Sequence, residues 1–206
     1  VGYARLLAPI LLVVTYASPV YSASKTVLVL GDSLSAEYGL VRGTGWVHLL
    51  QKKLQEEKID ARIVNASISG ETTIGGRTRL PSLLKKQQPQ IVVIELGAND
   101  ALRGLSLNAT EDNLRNMIVA SQKAKSKVLL VGMQIPPNYG AEYTQKFSSL
   151  FPSLAKETKS ALVPFFLEGL MNNPDLFQSD RLHPSAAAQP TMLNNVWHQL
   201  KPLLGK

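Results

Sequence analysis

The chain has 206 residues, of which 45% are hydrophobic and 18% are charged. This length and composition indicate one globular domain and exclude an intrinsically disordered chain. The absence of cysteine excludes disulfides and thiolate metal sites, and three histidines without a His-Glu-x-x-His motif argue against a zinc enzyme. The net charge of +7 is scattered in short pairs, which indicates a solvated basic surface; attraction to anionic lipid headgroups or acidic substrates is the alternative.

The first 23 residues differ in kind from the rest of the sequence. Arg5 precedes an almost wholly apolar stretch over residues 6–17, and small residues follow it. A basic residue, about a dozen apolar residues and a small-residue boundary are the pattern of a secretory signal peptide. The stretch is too short to span a bilayer comfortably. We therefore expect cleavage after Ser22 or Ala23, a mature domain over residues 24–206, and a periplasmic or secreted protein without a stable membrane span.

From residue 26 onward, short apolar runs alternate with stretches of helical periodicity. Strands buried in a parallel sheet are continuous apolar runs, whereas helices place apolar residues three and four positions apart. In chain order the sequence predicts a strand over 27–30, a helix over 44–57, a strand over 61–65, a helix over 79–88, a strand over 91–96, a helix over 110–125, a strand over 128–132, a helix over 142–160, a strand over 162–166 and a helix over 187–204.

The helix boundaries carry two further predictions. Thr110 is a suitable N-cap for the third helix, because its hydroxyl can accept a hydrogen bond from a free backbone N–H. Pro152 is expected to kink or split the fourth helix. The repeated alternation of strands and helices predicts an α/β fold with a parallel sheet covered on both faces.

Polar residues of an unusual kind follow three of the predicted strands. Ser33 follows the first strand, Ser69 and Gly70 follow the second, and Asn99 follows the third. Ligands of open α/β sheets bind outside the carboxyl ends of the strands, so we expect these residues at one edge of the sheet. From the strand and turn alone, Ser33 is a nucleophile, a phosphate ligand or an ordinary turn residue.

A second candidate group lies near the C-terminus, where Asp180 precedes His183 by three residues. An Asp at this spacing can hold the imidazole through one nitrogen and leave the other nitrogen free to act as a base, as in a serine-hydrolase triad. A Gly backbone N–H and an Asn side chain can supply donors to a developing oxyanion. The sequence has no Gly-x-Ser-x-Gly, Gly-x-Gly-x-x-Gly or Walker motif, so the nucleophile elbow and nucleotide-binding loops lack support.

Four short blocks therefore occur in a fixed order along the chain: Gly31-Asp32-Ser33-Leu34, Gly70, Gly97-x-Asn99-Asp100 and Asp180-x-x-His183-Pro184. Their order and spacing, over about residues 26–183, are similar to those of the SGNH (GDSL) hydrolases. One departure is Ala98, which stands where the pattern that the chain resembles has a second glycine. The resemblance implies a flavodoxin-like three-layer α/β/α sandwich around a five-stranded parallel sheet.

The same resemblance implies a role for each candidate residue. Ser33 would be the nucleophile, His183 the base, and Asp180 the residue that orients the imidazole. The backbone amides of Ser33 and Gly70 and the side chain of Asn99 would form the oxyanion hole. The structural alternatives are a turn for Ser33 and Gly70, an N-cap for Asp180, and a hydrogen bond within its own loop for Asn99.

The implied activity is that of a secreted serine esterase that hydrolyses acyl thioesters and carboxylic esters, lysophospholipid and aryl esters included, through an acyl-enzyme. The expected partner is a small acyl ester or thioester; we expect a monomer with no cofactor, metal or nucleic acid. Apolar loop residues are candidates for an acyl-chain groove: Leu102, Leu105, Ile135, Pro136 and Tyr139. The alternatives are a carbohydrate acetylesterase of the same superfamily and a non-catalytic acyl- or lipid-binding module.

Overall fold

The computed structural model describes residues 24–205, so the predicted signal peptide lies outside the described residues. In chain order the main elements are β1 (Lys25–Gly31), α1 (Trp46–Glu56), β2 (Ala61–Asn65), α2 (Thr73–Gln87), β3 (Ile91–Glu95), α3 (Ala98–Leu102), α4 (Leu107–Lys123), β4 (Lys127–Val131), α5 (Ala141–Thr158), β5 (Ala161–Val163) and α6 (Gln189–Leu204). In this part of the chain, no helix is both long enough and apolar enough to cross a membrane.

The five strands form one parallel sheet in the order β2-β1-β3-β4-β5. This is the flavodoxin-like strand order, in which the topological switch point lies between β1 and β3. Val27 of β1 pairs with Ile63 of β2 on one side and with Ile91 of β3 on the other. The predicted α/β fold with a five-stranded parallel sheet is confirmed. The loops that follow β1 and β3 consequently lie side by side.

Two apolar layers cover the sheet, one on each face. Val27 and Val29 of β1 pack into the layer that contains α1 and α6, whereas Leu28 and Leu30 pack into the layer that contains α2, α4 and α5. All four side chains are fully buried. Burial of a Val or Leu side chain stabilises the fold by about 1.5–3 kcal/mol. Because both faces of β1 are buried, apolar residues are favoured at every position of the strand. This explains the continuous apolar run of β1.

The predicted start of the third helix is wrong. Helix α4 begins at Leu107, and its N-cap is Ser106, whose hydroxyl accepts a hydrogen bond from the N–H of Ala109 at 3.4 Å. Thr110 lies inside the helix and is buried, with its hydroxyl 3.4 Å from Oδ1 of Asp100. Ser and Thr are similar N-caps, so local propensity does not separate them and tertiary packing decides.

Helices α2, α5 and α6 each contain an internal proline, Pro81, Pro152 and Pro202 respectively. Helix α5 continues through Pro152 as one element, so of the two expected effects, a kink or a split, the split does not occur. Phe147 and Phe151, which precede the proline, are fully buried in the core and hold the helix in place. Helix α2 likewise contains Pro81 and begins at Thr73, well before the predicted start of residue 79. Packing of a helix against the core outweighs one missing backbone hydrogen bond.

Candidate active site

The end of β1 places Ser33 at the carboxyl edge of the sheet. Gly31 passes so close to β3 that a Cβ atom on it would lie 2.6 Å from Oε2 of Glu95, and only glycine fits there. Oδ1 of Asp32 accepts a hydrogen bond from the N–H of Leu34 at 3.0 Å and closes the turn. The turn presents Ser33 to the cavity described below.

Asp180 and His183 form a compact turn before α6. Oδ1 of Asp180 accepts hydrogen bonds from the N–H groups of Leu182 at 2.9 Å and His183 at 3.0 Å. Oδ2 of the same carboxylate lies 2.6 Å from Nδ1 of the imidazole. The His183 N–H, together with the Leu182 N–H and the imidazole, lowers the pKa of Asp180 from 3.8 to about 2. Asp180 is therefore ionised at neutral pH and accepts a hydrogen bond from Nδ1–H of the imidazole.

The imidazole of His183 joins this turn to the loop that carries Ser33. Nε2 lies 2.9 Å from Oγ of Ser33, although the two residues are 150 positions apart in the chain. Because Asp180 accepts a hydrogen bond from Nδ1–H, the imidazole keeps its proton on Nδ1, and the lone pair of Nε2 can accept a proton from the serine. The Tyr38 ring packs against the imidazole with its centroid 4.5 Å away. The arrangement has the geometry of a serine activated by an oriented base.

Asn99 lies at the N-terminus of α3, directly after β3. Its Nδ2 donates a hydrogen bond to Oδ2 of Asp32 at 2.9 Å, so the side chain bonds to the loop that carries Ser33. An amide NH2 group has two hydrogens, and this contact uses one of them. Gly97, which has φ +119°, provides the sharp turn from β3 into α3. Asn99 and Ser33 line the same cavity.

Gly70 lies in the loop after β2 with φ +76°, a conformation that favours glycine. Its carbonyl accepts a hydrogen bond from the Arg103 guanidinium at 2.8 Å. Within residues 24–205, no hydrogen bond uses the N–H of Ser33 or of Gly70 as its donor. Gly70 itself is not among the residues that line the cavity of Ser33.

Two carboxyl groups, those of Asp32 and Glu95, lie behind Ser33 without a cationic partner in the described residues. Oε2 of the buried Glu95 accepts hydrogen bonds from the Asp32 N–H at 3.2 Å and from Oγ of Ser35 at 2.7 Å. Burial raises the pKa of Glu95 well above its usual range and raises the pKa of Asp32 from 3.8 to about 6. In the sequence, Glu95 is only a lone acidic residue at the end of an apolar strand, a pattern that predicts no role for it. Across residues 24–205, no group of three or more His, Asp or Glu side chains is placed to hold a metal ion.

A cavity of about 410 Å³ opens beside Ser33 and His183. Three of the five candidate groove residues line it: Leu102, Ile135 and Pro136. Leu105 and Tyr139 instead line a separate surface hollow, so the structure does not bring them to the cavity. The Tyr139 hydroxyl reaches back and donates a hydrogen bond to the Leu102 carbonyl at 3.2 Å.

Most of the remaining apolar lining was missed by sequence analysis. These residues come from the β1, β4 and β5 loops and from the segment before α6: Leu34, Met133, Phe165, Leu167, Met171, Phe177 and Leu182. Scattered apolar residues in loops carry no periodic signal, so only the folded chain identifies them as one surface.

Comparison with known proteins agrees with the geometry. A family model for the GDSL-like lipase/acylhydrolases matches residues 29–189. Over 183 residues, the chain is 51% identical to esterase TesA of Pseudomonas aeruginosa, covering 89% of this chain and 91% of that protein. It is 43% identical to thioesterase 1/protease 1/lysophospholipase L1 of Escherichia coli, with coverages of 89% and 86%.

A solved structure gives the same result. The crystal structure of the psychrotrophic esterase EstA from Pseudoalteromonas sp., inhibited by monoethylphosphonate, has a TM-score of 0.84 and 42% identity, covering 88% of this chain and 100% of that one. The family model spans most of the described residues, and the similarity to these relatives spans most of each chain. The chain therefore belongs to the GDSL-like lipase/acylhydrolase family and is a serine hydrolase.

Proposed function

We propose that this protein hydrolyses acyl esters and acyl thioesters through a covalent acyl-enzyme on Ser33. The observation that carries the proposal is the continuous line of contacts from Asp180 to His183 at 2.6 Å and from His183 to Ser33 at 2.9 Å. An inert binding module has no need of an ionised carboxylate, an oriented imidazole and a serine in hydrogen-bonded sequence.

In the acylation step, Oγ of Ser33 attacks the carbonyl carbon of the substrate while Nε2 of His183 takes the serine proton. The new C–O bond converts the carbonyl oxygen into an oxyanion. Asp180 stabilises the imidazolium that forms. The tetrahedral intermediate then collapses, the bond to the leaving alcohol or thiol breaks, and His183 gives its proton to the leaving group.

Deacylation repeats these steps with water. Nε2 of His183 accepts a proton as the water oxygen bonds to the acyl carbon. The acyl carbon then releases Oγ of Ser33, which recovers its proton from His183. The products are a carboxylic acid and the free enzyme, so the residues on this site complete the cycle.

The oxyanion of both intermediates is proposed to bind three donors: the N–H groups of Ser33 and Gly70 and Nδ2 of Asn99. The two backbone groups have no hydrogen-bond acceptor within residues 24–205, and Asn99 has one amide hydrogen left after its bond to Asp32. Donors held ready in this way stabilise charge as it develops in the transition state.

The acyl chain is proposed to occupy the cavity beside Ser33, because the lining from Leu102, Ile135 and the residues after β4 and β5 is mainly apolar. Each buried methylene contributes about 0.8 kcal/mol, so a chain that fills this space gains affinity with length. Relatives carry the names esterase, thioesterase 1/protease 1/lysophospholipase L1 and arylesterase, which supports a choice of substrates among thioesters, lysophospholipids and aryl esters.

Labelling with a fluorophosphonate probe tests the proposal. Oγ of the reactive serine displaces fluoride from phosphorus, and peptide mapping then identifies the labelled residue. We expect a single label on Ser33, no label after Ser33→Ala, and wild-type labelling after Ser149→Ala, which changes an exposed serine of α5. A label on another serine, or none on the folded protein, contradicts the proposal and favours the binding module.

We also propose that residues 1–23 direct export and are removed, which would place the enzyme in the periplasm or outside the cell. The proposal rests on the basic residue, apolar stretch and small-residue boundary of this segment.

A further inference from the structure

We propose that Gln178 is a positioning residue that holds the loop of the base against the loop of the nucleophile. The inference rests on the proposed function, because it concerns how the distance between Ser33 and His183 is maintained. Neither the sequence blocks nor the triad geometry assigns Gln178 a role.

His183 lies on the return arm of a short antiparallel hairpin formed by residues 176–185, here called the histidine hairpin. Phe177 and Pro184 form an isolated antiparallel bridge, and the N–H of Gln178 donates a hydrogen bond to the His183 carbonyl at 2.7 Å. The Gln178 carbonyl accepts the N–H of Arg181 at 2.9 Å. The backbone of Gln178 thus belongs to the same small unit as the base.

The side chain of Gln178 leaves this unit and reaches the nucleophile loop. Its Nε2 donates hydrogen bonds to the Tyr38 carbonyl at 2.9 Å and to the Pro184 carbonyl at 3.2 Å. The N–H of Tyr38 in turn donates to the carbonyl of Ser33 at 3.3 Å. One side chain therefore connects the residue after the base with the turn that carries the nucleophile.

The chemistry of this contact selects an amide. Both partners are carbonyl oxygens, so the bridging atom must carry two hydrogens, as the Gln NH2 group does. The adjacent Gly39 has φ +69°, and a Cβ atom on it would overlap Oε1 of Gln178. The absence of a side chain at Gly39 leaves room for the Gln178 amide between the two loops.

The histidine hairpin depends on such contacts for its position. It lies between β5 and α6, outside the sheet, and its two arms are joined by backbone hydrogen bonds from Gln178 to His183 and from Ser185 to Leu176, each at 2.7 Å. The Tyr38 ring already packs against the imidazole at 4.5 Å, and Gln178 secures the backbone of the same residue. Misplacement of a catalytic group by about 1 Å can lower a rate by about 100-fold. Loss of the hydrogen bonds from Gln178 can therefore lower the rate by moving His183 relative to Ser33.

The test compares Gln178→Glu and Gln178→Met with the wild type. Glutamate keeps the shape but turns a carboxylate oxygen toward two carbonyls, whereas methionine keeps the length and removes the donor without adding charge. For both variants we expect kcat to fall about 10- to 100-fold with KM nearly unchanged. The rate of Ser33 labelling by a fluorophosphonate should fall by the same factor. Gln145→Glu, which makes the same charge change on the exposed side of α5, should retain wild-type values.

Thermal melts separate positioning from stability. We expect folded variants whose melting temperatures stay close to that of the wild type while labelling slows. If wild-type protein is not labelled on Ser33, the proposed function fails together with this inference. If wild type is labelled and both Gln178 variants react within twofold of it, only the inference fails. A loss of melting temperature with unchanged labelling of the folded protein also overturns it.

Discussion

Asn99 donates a hydrogen bond from Nδ2 to Oδ2 of Asp32 at 2.9 Å, and this bond joins the loops that follow β3 and β1. The two strands are neighbours in the sheet, so their carboxyl ends bring the two side chains together. Asp32 holds one amide hydrogen and leaves the other available near Ser33. A residue held in this way is oriented before substrate arrives, which is the requirement for an oxyanion donor.

Replacement of Asn99 by Ala should lower kcat about 100- to 1,000-fold, or about 3–4 kcal/mol, with KM nearly unchanged. The reason is that the missing donor matters mainly when negative charge develops on the substrate oxygen. Steady-state kinetics beside circular-dichroism melts measure both effects, and Asn116→Ala on the exposed side of α4 is the matched control. A wild-type kcat with a lowered melting temperature would mean that Asn99 only braces its loop.

The Asp180→Asn variant separates two roles of one side chain. Its Oδ1 can still accept the N–H groups of Leu182 and His183, so the turn keeps its cap. Its amide, however, donates to Nδ1 and moves the imidazole proton to Nε2, where it faces Ser33. We expect kcat to fall about 1,000- to 10,000-fold with the melting temperature little changed. If kcat stays within tenfold of wild type, Asp180 acts as a cap and not as part of the triad.

The buried carboxyl of Glu95 predicts a particular dependence of stability on pH. Its pKa is raised in the folded protein, so the folded state holds a proton that the unfolded chain releases above about pH 4.3. The free energy of unfolding should therefore fall as pH rises, and Asp32 adds the same trend between its unfolded value of 3.8 and about 6. Glu95→Gln stays neutral at every pH, so its stability relative to wild type should increase from pH 5 to pH 8.

Urea unfolding of both proteins at pH 5 and pH 8 measures this difference. The glutamine keeps an oxygen that can accept the hydrogen bonds of Asp32 and Ser35, so lost contacts are a small part of the change. Identical pH dependence in wild type and Glu95→Gln would show that Glu95 titrates equally in the folded and unfolded states.

The apolar cavity predicts a preference for acyl length. With p-nitrophenyl esters, kcat/KM should rise from acetyl to octanoyl, because each buried methylene contributes about 0.8 kcal/mol. Ile135→Ala enlarges the cavity and should flatten this rise, whereas Leu105→Ala, outside the cavity, should leave it unchanged. A maximum at acetyl would favour the carbohydrate acetylesterase.

The predicted signal peptide has a direct test. Protein exported from a bacterial host should begin at Ala23 or Ser24, because the apolar stretch ends in small residues. Mass spectrometry of the intact protein measures the start. An uncleaved N-terminus recovered in the membrane fraction would mean that residues 6–17 act as an anchor.

Part of the fold could be predicted from the sequence because the spacing of apolar residues along a segment reflects which of its faces are buried. The apolar run of β1 requires burial on both faces, and the alternation with helices required a parallel sheet. The start of α2 was missed because Thr73 to Arg79 shows no helical periodicity of apolar residues. There Gly76 allows close packing against Leu96, which is a long-range contact. Tertiary contacts of this kind stabilise a helix whose own residues have a weak helix propensity.

The candidate site divides in the same way. The sequence singles out five candidate residues, because they follow strand ends or stand at a three-residue spacing: Ser33, Gly70, Asn99, Asp180 and His183. The bond from His183 to Ser33 crosses 150 positions, and only the packed fold sets its length.

Tertiary structure alone decided the roles of Glu95 and Gln178 and the position of the cavity. In the sequence, Glu95 and Gln178 are ordinary polar residues. Their roles depend on the groups that the fold places within hydrogen-bond distance of their side chains. Leu105 and Leu102 are similar apolar loop residues, yet only Leu102 reaches the cavity. The sequence by itself determined the chemical groups and the edge of the sheet that holds them. Which groups face one another depends on contacts between distant segments, and these form only when both apolar layers close on the sheet.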